Sequence, residues 1–189
     1  MKKKLKITFN APVVLTFALI SLVALILSYV TFGVSNRLLF MTYRSSALSP
    51  LTYLRLFTHV LGHSGWAHFI GNMSYLLLLG PMLEEKYGSS EIIWVIVSTA
   101  LVTGLVNCLL FSDVALCGAS GVVFAFILLT SFTSFKQGEL PVSVILVALI
   151  YIGQQVCDGL FVQDNISNLS HIIGGLVGAV IGYRLNKKR

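Results

Sequence analysis

Residues 117–129, CGASGVVFAFILL, place a single serine, Ser120, between glycines at the start of a long apolar segment. A serine hydroxyl in this position is a candidate nucleophile if a base lies close enough to take its proton. Gly118 and Gly121 are equally typical of a contact between two membrane helices, because small residues let helix backbones approach closely. The stretch alone leaves both interpretations open.

The composition around this stretch is that of a membrane protein. Of the 189 residues, 56% are hydrophobic and 11% are charged, whereas soluble domains carry about 25% charged residues. The chain is long enough for about six spans of roughly 20 residues each. The sequence therefore predicts an all-α membrane protein, a bundle of six transmembrane helices forming one domain over 12–185. The predicted spans are about 12–32, 66–83, 92–111, 117–135, 141–160 and 169–183.

The basic residues are concentrated at the two ends of the chain, which carries a net charge of +6. Basic tails over 1–11 and 186–189, together with Lys86 and Lys136, are typical of the cytoplasmic side of a membrane protein. We therefore expect both termini in the cytoplasm. The sequence shows no targeting segment beyond span one, and this minimal architecture favours a bacterial plasma membrane. Topology accounts for these charges better than nucleic-acid binding does, so we expect no nucleic-acid partner.

This topology places Ser120 and His171 near the outer ends of spans four and six. Ser120 follows Asp113 by seven positions, and His171 follows Asp164 by seven. At about 1.5 Å of rise per residue, both lie within roughly 10 Å of the outer surface. A neutral imidazole at that depth can take the serine proton. The pair therefore predicts nucleophilic chemistry inside the membrane, with Ser120 and His171 as candidate catalytic residues.

Span two carries His68 and Asn72 four positions apart, so that both lie on one helix face. Polar side chains within a membrane usually face a bundle interior or a wet cavity. Both side chains can donate hydrogen bonds, and the free N–H of Ser120 at a helix start can do the same. The three donors are candidates for an oxyanion hole, while a polar contact between helices is the alternative for either side chain.

A ridge of glycines runs along span six, where Gly174, Gly178 and Gly182 are four residues apart. Such a ridge predicts a close helix contact. Gly174 is about one turn below His171, so the contact could bring His171 against Ser120. The ridge itself is structural.

Taken together, these residues resemble the rhomboid family of intramembrane serine proteases over about 54–183. The motifs that carry the resemblance are Arg55 and His59 in the first loop, His68-x-x-x-Asn72 in span two, Glu84 and Gly88 after it, Gly118-Ala119-Ser120-Gly121 in span four, and His171-x-x-Gly174-x-x-x-Gly178 in span six. Each motif is weak alone, but their order, spacing and membrane side are specific. Two positions depart from the common bacterial pattern: Leu54 stands where many members have tryptophan, and Phe124 where many have tyrosine.

The resemblance implies a six-helix core around a short, central span four. It implies Ser120 as nucleophile and His171 as general base, in a dyad without an acidic third member. It also implies an oxyanion hole formed by His68, Asn72 and the backbone N–H of Ser120. Phe124 would stack on His171, and Gly118, Gly121, Gly174 and Gly178 would support the site by close packing. Substrates would be transmembrane proteins in the lipid bilayer, reached from the outer face, with no cofactor or metal ion.

Two other functions remain open at this point. A non-catalytic protein of the same fold would bind client helices, but it would be expected to lack the serine or the histidine. A metal or ion transporter could use His59, His63 and His68, although no carboxylate lies near them in the sequence. The natural substrate and the oligomeric state cannot be predicted from this sequence.

Overall fold

The computed structural model describes residues 8–134, 139, 141–161 and 168–187, and these residues form α-helices joined by loops, with no strand among them. The helices are α1 (Pro12–Val30), α2 (Val34–Leu39), α3 (Pro50–Thr58), α4 (Trp66–Tyr87), α5 (Ser89–Leu110), α6 (Ser120–Ser131), α7 (Val142–Phe161) and α8 (Asn168–Lys187). Short 3-10 helices follow α3 at His59–Leu61 and α6 at Phe132–Ser134. The all-α prediction is therefore confirmed for the described residues. Most of the basic tail, Lys136, Asp164 and the last two residues lie outside them.

Among the described helices, α1 and α5 are both long enough and apolar enough to cross a membrane. Helix α4 has the length, at 22 residues, but carries polar and charged side chains. Helix α6 has only 12 residues, which corresponds to about 18 Å, against a hydrocarbon core of about 30 Å. Length and composition alone therefore identify two candidate spans among the described helices, and the count of six spans stays a prediction.

The short helix α6 lies at the centre of the bundle and packs against α4, α5, α7 and α8. Most of its side chains are buried, including Val122, Phe126 and Leu129, which are fully enclosed. The sequence predicted this span over 117–135, but the helix begins three residues later, at Ser120. Gly118 has a φ of +125°, which no helix continues through. The apolar stretch is therefore longer than the helix it contains.

Helix α4 continues past the predicted end of span two at residue 83, to Tyr87, and its acidic residue Glu84 is buried. The Glu84 carboxylate accepts hydrogen bonds from the backbone N–H groups of Val13 (3.0 Å) and Val14 (3.1 Å). It also accepts one from the Ser89 hydroxyl at 2.7 Å. The first N–H groups of a helix have no partner within it. Glu84 therefore caps the N-terminus of α1, where Pro12 begins the helix.

Helices α6 and α8 touch backbone to backbone along the glycine ridge predicted from span six. A Cβ atom built on Gly174 would lie 2.2 Å from the carbonyl oxygen of Gly121, and one built on Gly178 would lie 2.1 Å from that of Ala125. Neither position has room for any side chain. The ridge is therefore a contact surface in the structure, and its first glycine is three residues after His171.

This contact predicts opposite outcomes for two neighbouring substitutions. Gly178→Ala should lower the free energy of unfolding by about 1–3 kcal/mol, because the added methyl forces α6 and α8 apart. Gly175→Ala is the matched control: its Cβ would meet Leu128 at 3.6 Å, an ordinary contact, so stability should be unchanged or slightly higher. Thermal unfolding of the purified proteins in detergent micelles measures both. Equal stability of the two variants would contradict the contact.

Candidate active site

Ser120 and His171 are brought together at the end of the bundle where α6 and α8 both begin. The hydroxyl oxygen of Ser120, the first residue of α6, lies 2.8 Å from Nε2 of His171 in the first turn of α8. This is hydrogen-bond distance, which a serine nucleophile and its base require. The two residues are 51 positions apart in the chain and meet because of the α6–α8 contact described above.

Phe124 holds the plane of the His171 imidazole. The two rings are stacked with centroids 4.7 Å apart and planes inclined by 5°. On α7, the ring of Tyr151 contacts Phe124 edge to face, with the ring centroids 5.3 Å apart. The stacking expected of Phe124 is thus present without a tyrosine hydroxyl, and α7 contributes to it through one aromatic side chain.

The N-terminus of α6 supplies free backbone donors next to the serine. Ala119 is the N-cap residue, and its carbonyl accepts from the N–H of Val123 at 2.9 Å. The N–H groups of Ser120, Gly121 and Val122 therefore precede the first donating N–H of the helix and have no acceptor within it. Such groups carry a partial positive charge that favours a developing negative charge nearby.

His68 and Asn72 converge on one point beside Gly118. A Cβ atom built on Gly118 would lie 2.6 Å from Nε2 of His68 and 3.7 Å from Nδ2 of Asn72. The Asn72 side chain is buried, and its Nδ2 has no hydrogen-bond partner in the described part of the chain. A buried donor left unpaired costs free energy. The polar atoms of both side chains thus lie beside Gly118, two residues before Ser120.

The loop before α6 is tied to the long loop between α1 and α4. Thr42 and Leu116 exchange two backbone hydrogen bonds, at 2.9 and 2.8 Å. The Asn107 amide donates to the carbonyl oxygens of Thr42 (3.3 Å) and Val114 (3.0 Å). Arg44 in turn donates to two carbonyl groups at the C-terminus of α5. Sequence reasoning missed this network, because no periodicity indicates that two loops will pair.

Arg55 and His59, two residues of the first-loop motif, stabilise that loop from within. Arg55 is buried and donates to the Tyr43 and Ser45 hydroxyls at 2.5 and 2.8 Å. Nε2 of His59 lies 3.3 Å from the Thr103 hydroxyl on α5, and the Gly118 N–H donates to the His59 carbonyl at 2.9 Å. Burial lowers the pKa of His59 to about 4, so this ring is neutral near pH 7. The motif thus supports the position of Gly118.

A cavity of about 580 Å³ lies over the two candidate catalytic residues. Its walls are mostly apolar and include a few polar side chains, a composition typical of ligand sites. The residues lining this active-site cavity are Met41, Ser64, His68, Asn72, Val114, Ala115, Leu116, Cys117, Ser120 and His171. Met41, Ser64 and the segment 114–117 were not predicted from the sequence. Of these residues, only Ser64 could have been found from the sequence, because it lies four positions before His68.

Among the described residues, no group of three or more histidine, cysteine, aspartate or glutamate side chains is placed to hold a metal ion. His59 uses Nδ1 on the Arg55 carbonyl and Nε2 on Thr103. Nδ1 of His63 lies 3.1 Å from the Leu61 carbonyl. The contacts of these two histidines therefore hold the loop in which they lie.

Comparison with known proteins identifies the family of this chain. The Rhomboid domain model matches residues 50–188. The chain is 28% identical over 138 residues to "Rhomboid protease GlpG" of Haemophilus influenzae, a match covering 71% of each protein. It is 28% identical over 140 residues to "Rhomboid protease GluP" of Bacillus subtilis, covering 71% of this chain and 26% of that protein. It is 30% identical over 133 residues to "Rhomboid protease GlpG" of Salmonella paratyphi A, covering 68% of this chain and 47% of that protein.

The chain therefore belongs to the rhomboid family, the intramembrane serine proteases that its motifs resembled. As a member of that family, it is a membrane-embedded protein. The match covers about half or less of the Salmonella and Bacillus relatives, and most of the Haemophilus one. The residues of this chain outside the Rhomboid domain match are 1–49, which include α1 and α2, and residue 189.

A second pair of substitutions tests the role of Gly118, where a side chain would collide with His68. Gly118→Ala should slow the reaction of Ser120 with a fluorophosphonate probe by about tenfold or more, because the methyl displaces the His68 donor. Gly88→Ala is the matched control: its φ is +94° but its Cβ would meet nothing within 4 Å. It carries the same kind of backbone strain far from the site, so its labelling rate should stay near wild type. A similar slowing in both variants would assign the effect to backbone strain instead.

Proposed function

We propose that this chain is an intramembrane serine endopeptidase in which Ser120 is the nucleophile and His171 the general base. The observation that carries the proposal is the 2.8 Å separation of the Ser120 hydroxyl and Nε2 of His171, in a chain that belongs to the rhomboid family. The alternative of a non-catalytic client-binding protein has no comparable support, since both side chains are present and in contact.

The proposed reaction proceeds through an acyl-enzyme. Nε2 of His171 takes the proton as the Ser120 oxygen attacks the scissile carbonyl carbon, giving a tetrahedral intermediate with a negative oxygen. His68, Asn72 and the Ser120 N–H stabilise this oxygen. Collapse expels the amine, which receives the proton from His171, and a water activated by the same histidine then hydrolyses the ester. The scheme uses no cofactor or metal ion.

The proposed mechanism has no acidic third residue, so the imidazole must be oriented by other means. The stacking of Phe124 on His171, with rings inclined by only 5°, supports this role for Phe124. The glycine contacts at Gly174 and Gly178 fix the height of α8 against α6. Gly118 leaves the space that His68 and Asn72 face, and Gly121 supplies the bare backbone that the contact with Gly174 requires.

The proposed topology has six spans in one domain over 12–185, built from α1, α4, α5, α6, α7 and α8. The basic tails 1–11 and 186–189 would lie in the cytoplasm of a bacterial cell, and the active-site cavity would open to the outer face of the plasma membrane. The strong apolar character of α1 and α5 supports this arrangement, as does the excess of basic residues at the two ends of the chain.

The proposed substrates are transmembrane segments of other proteins. A helix in a membrane has its amides bonded internally, so a scissile bond becomes accessible only where the helix unwinds. Helix-breaking small residues near the outer end of a substrate helix would favour this. The mostly apolar walls of the active-site cavity support an occupant of that kind.

The dyad predicts that Ser120→Ala and His171→Ala each abolish cleavage. A labelled single-span peptide with glycines near one end, reconstituted with the enzyme in proteoliposomes, gives the measurement. Both variants should remain folded, because neither substitution adds bulk. Ser112→Ala, an exposed hydroxyl in the loop before α6, is the control and should cleave like wild type. Cleavage at the wild-type rate by both variants would contradict the assignment.

Replacing Asn72 should lower the rate of cleavage without lowering the stability of the protein. Asn72→Ala should reduce cleavage by roughly 10- to 1000-fold if the amide stabilises the oxyanion, and it breaks no hydrogen bond in the described structure. Asn186→Ala is the reciprocal control, since its amide bonds to Tyr87 and to the Gly182 carbonyl far from the site. That variant should be less stable by about 1–3 kcal/mol and cleave normally. A stability loss with an unchanged rate in Asn72→Ala would reassign Asn72 to packing.

A further inference from the structure

Ser64 lies immediately before the N-cap residue of α4 and four positions before His68. Its hydroxyl oxygen is 3.0 Å from Nδ1 of His68, and its backbone nitrogen is 3.4 Å from the same atom. Both groups thus face the ring nitrogen that points away from Gly118. Ser64 also lines the active-site cavity, although the proposed reaction assigns it no role.

Two contacts of Ser64 favour one position for the proton of His68, and the hydroxyl contact at 3.0 Å is shorter than the backbone N–H contact at 3.4 Å. A backbone N–H can only donate, so Nδ1 of His68 accepts in this contact. The Ser64 hydroxyl can then donate to the same lone pair and strengthen the preference. A neutral imidazole that accepts at Nδ1 carries its hydrogen on Nε2.

Nε2 is the nitrogen that faces the site. It approaches Gly118 so closely that a Cβ there would lie 2.6 Å away. With a hydrogen on Nε2, His68 donates toward the place where the oxyanion forms. With the other tautomer, Nε2 would present a lone pair to a negative oxygen and oppose it. The tautomer therefore decides whether His68 stabilises or destabilises the transition state.

His63, the other group beside His68, does not set this tautomer. The two rings meet edge to face with centroids 5.1 Å apart, so this contact is one of packing. Nδ1 of His63 faces the Leu61 carbonyl at 3.1 Å, which can only accept, so His63 keeps its own hydrogen there. Burial is the main cause that lowers the pKa of His63 to about 4, so the ring carries no charge near pH 7. The orienting contact on His68 comes from Ser64.

We propose that Ser64 is a positioning residue, which holds His68 as the tautomer that donates from Nε2 into the oxyanion hole. This rests on the proposed function of the same site and adds to it a residue that acts through His68. The local sequence suits the role. Gly65 is the N-cap residue, makes no side-chain cap and has an extended backbone, which leaves Ser64 outside the helix, four positions before His68 and facing its ring.

The first test measures the rate of fluorophosphonate labelling of Ser120. Ser64→Ala should lower the maximal inactivation rate by about 2- to 10-fold, the worth of one hydrogen bond, with the half-saturating probe concentration unchanged. Ser64→Thr retains a hydroxyl and should restore most of the rate. Ser74→Ala removes an exposed hydroxyl that bonds only within α4, and should label like wild type.

A double-mutant cycle separates positioning through His68 from any direct effect of Ser64. In a His68→Ala background, Ser64→Ala should cause no further loss, because the group it orients is gone. A wild-type rate in the single Ser64→Ala variant would overturn the proposal. An equal loss with and without His68 would overturn it as well.

The second test needs no activity. In protein with ¹⁵N-labelled histidine, the His68 ring should show the Nε2–H tautomer at neutral pH, and Ser64→Ala should shift the population toward Nδ1–H. Wild-type protein with the hydrogen on Nδ1 would overturn the positioning role even if Ser120 is labelled normally. Failure of Ser120 to react at all, with the predicted tautomer present, would overturn the proposed protease function and not the assignment of Ser64 to His68.

Discussion

The backbone contact between α6 and α8 is the constraint on which the rest of the site depends. Gly174 meets Gly121, and Gly178 meets Ala125, at distances that exclude any Cβ atom. Ser120 immediately precedes Gly121, and His171 is three residues before Gly174. The same contact that packs the two helices therefore sets the 2.8 Å separation between the serine oxygen and the imidazole. In lipid, where apolar side chains gain little by associating, such close packing is a main source of helix affinity.

The other side of the site depends on a turn of the backbone just before α6. Gly118, with its positive φ, ends the loop before α6 and leaves open the space that His68 and Asn72 face. That loop is held by Leu116 on Thr42 and by Gly118 on the His59 carbonyl. The long connection between α1 and α4 thus acts as a support for the serine.

Much of this could be predicted from the sequence, and what could not has a physical reason. The meeting of Ser120 with His171, and of His68 with Asn72, followed from helical spacing and from residues at equal depth in apolar segments. The start of α6 did not, because hydropathy is continuous across Cys117 and Ala119 and does not register a backbone turn. The burial of Glu84 was also missed, since a carboxylate at the end of an apolar run ordinarily marks the membrane surface. Its backbone partners are the N–H groups of Val13 and Val14, about 70 residues away, and no local pattern contains them.

We propose that the α6–α8 contact makes Ser120 a reactive nucleophile through His171. Treating membranes that contain the protein with a fluorophosphonate, and locating the adduct by peptide mass spectrometry, tests this dyad. The dyad predicts one adduct, on the peptide that contains Ser120, and its loss when His171 is replaced by alanine. An adduct on a different serine, or one on Ser120 that persists undiminished without His171, would contradict it.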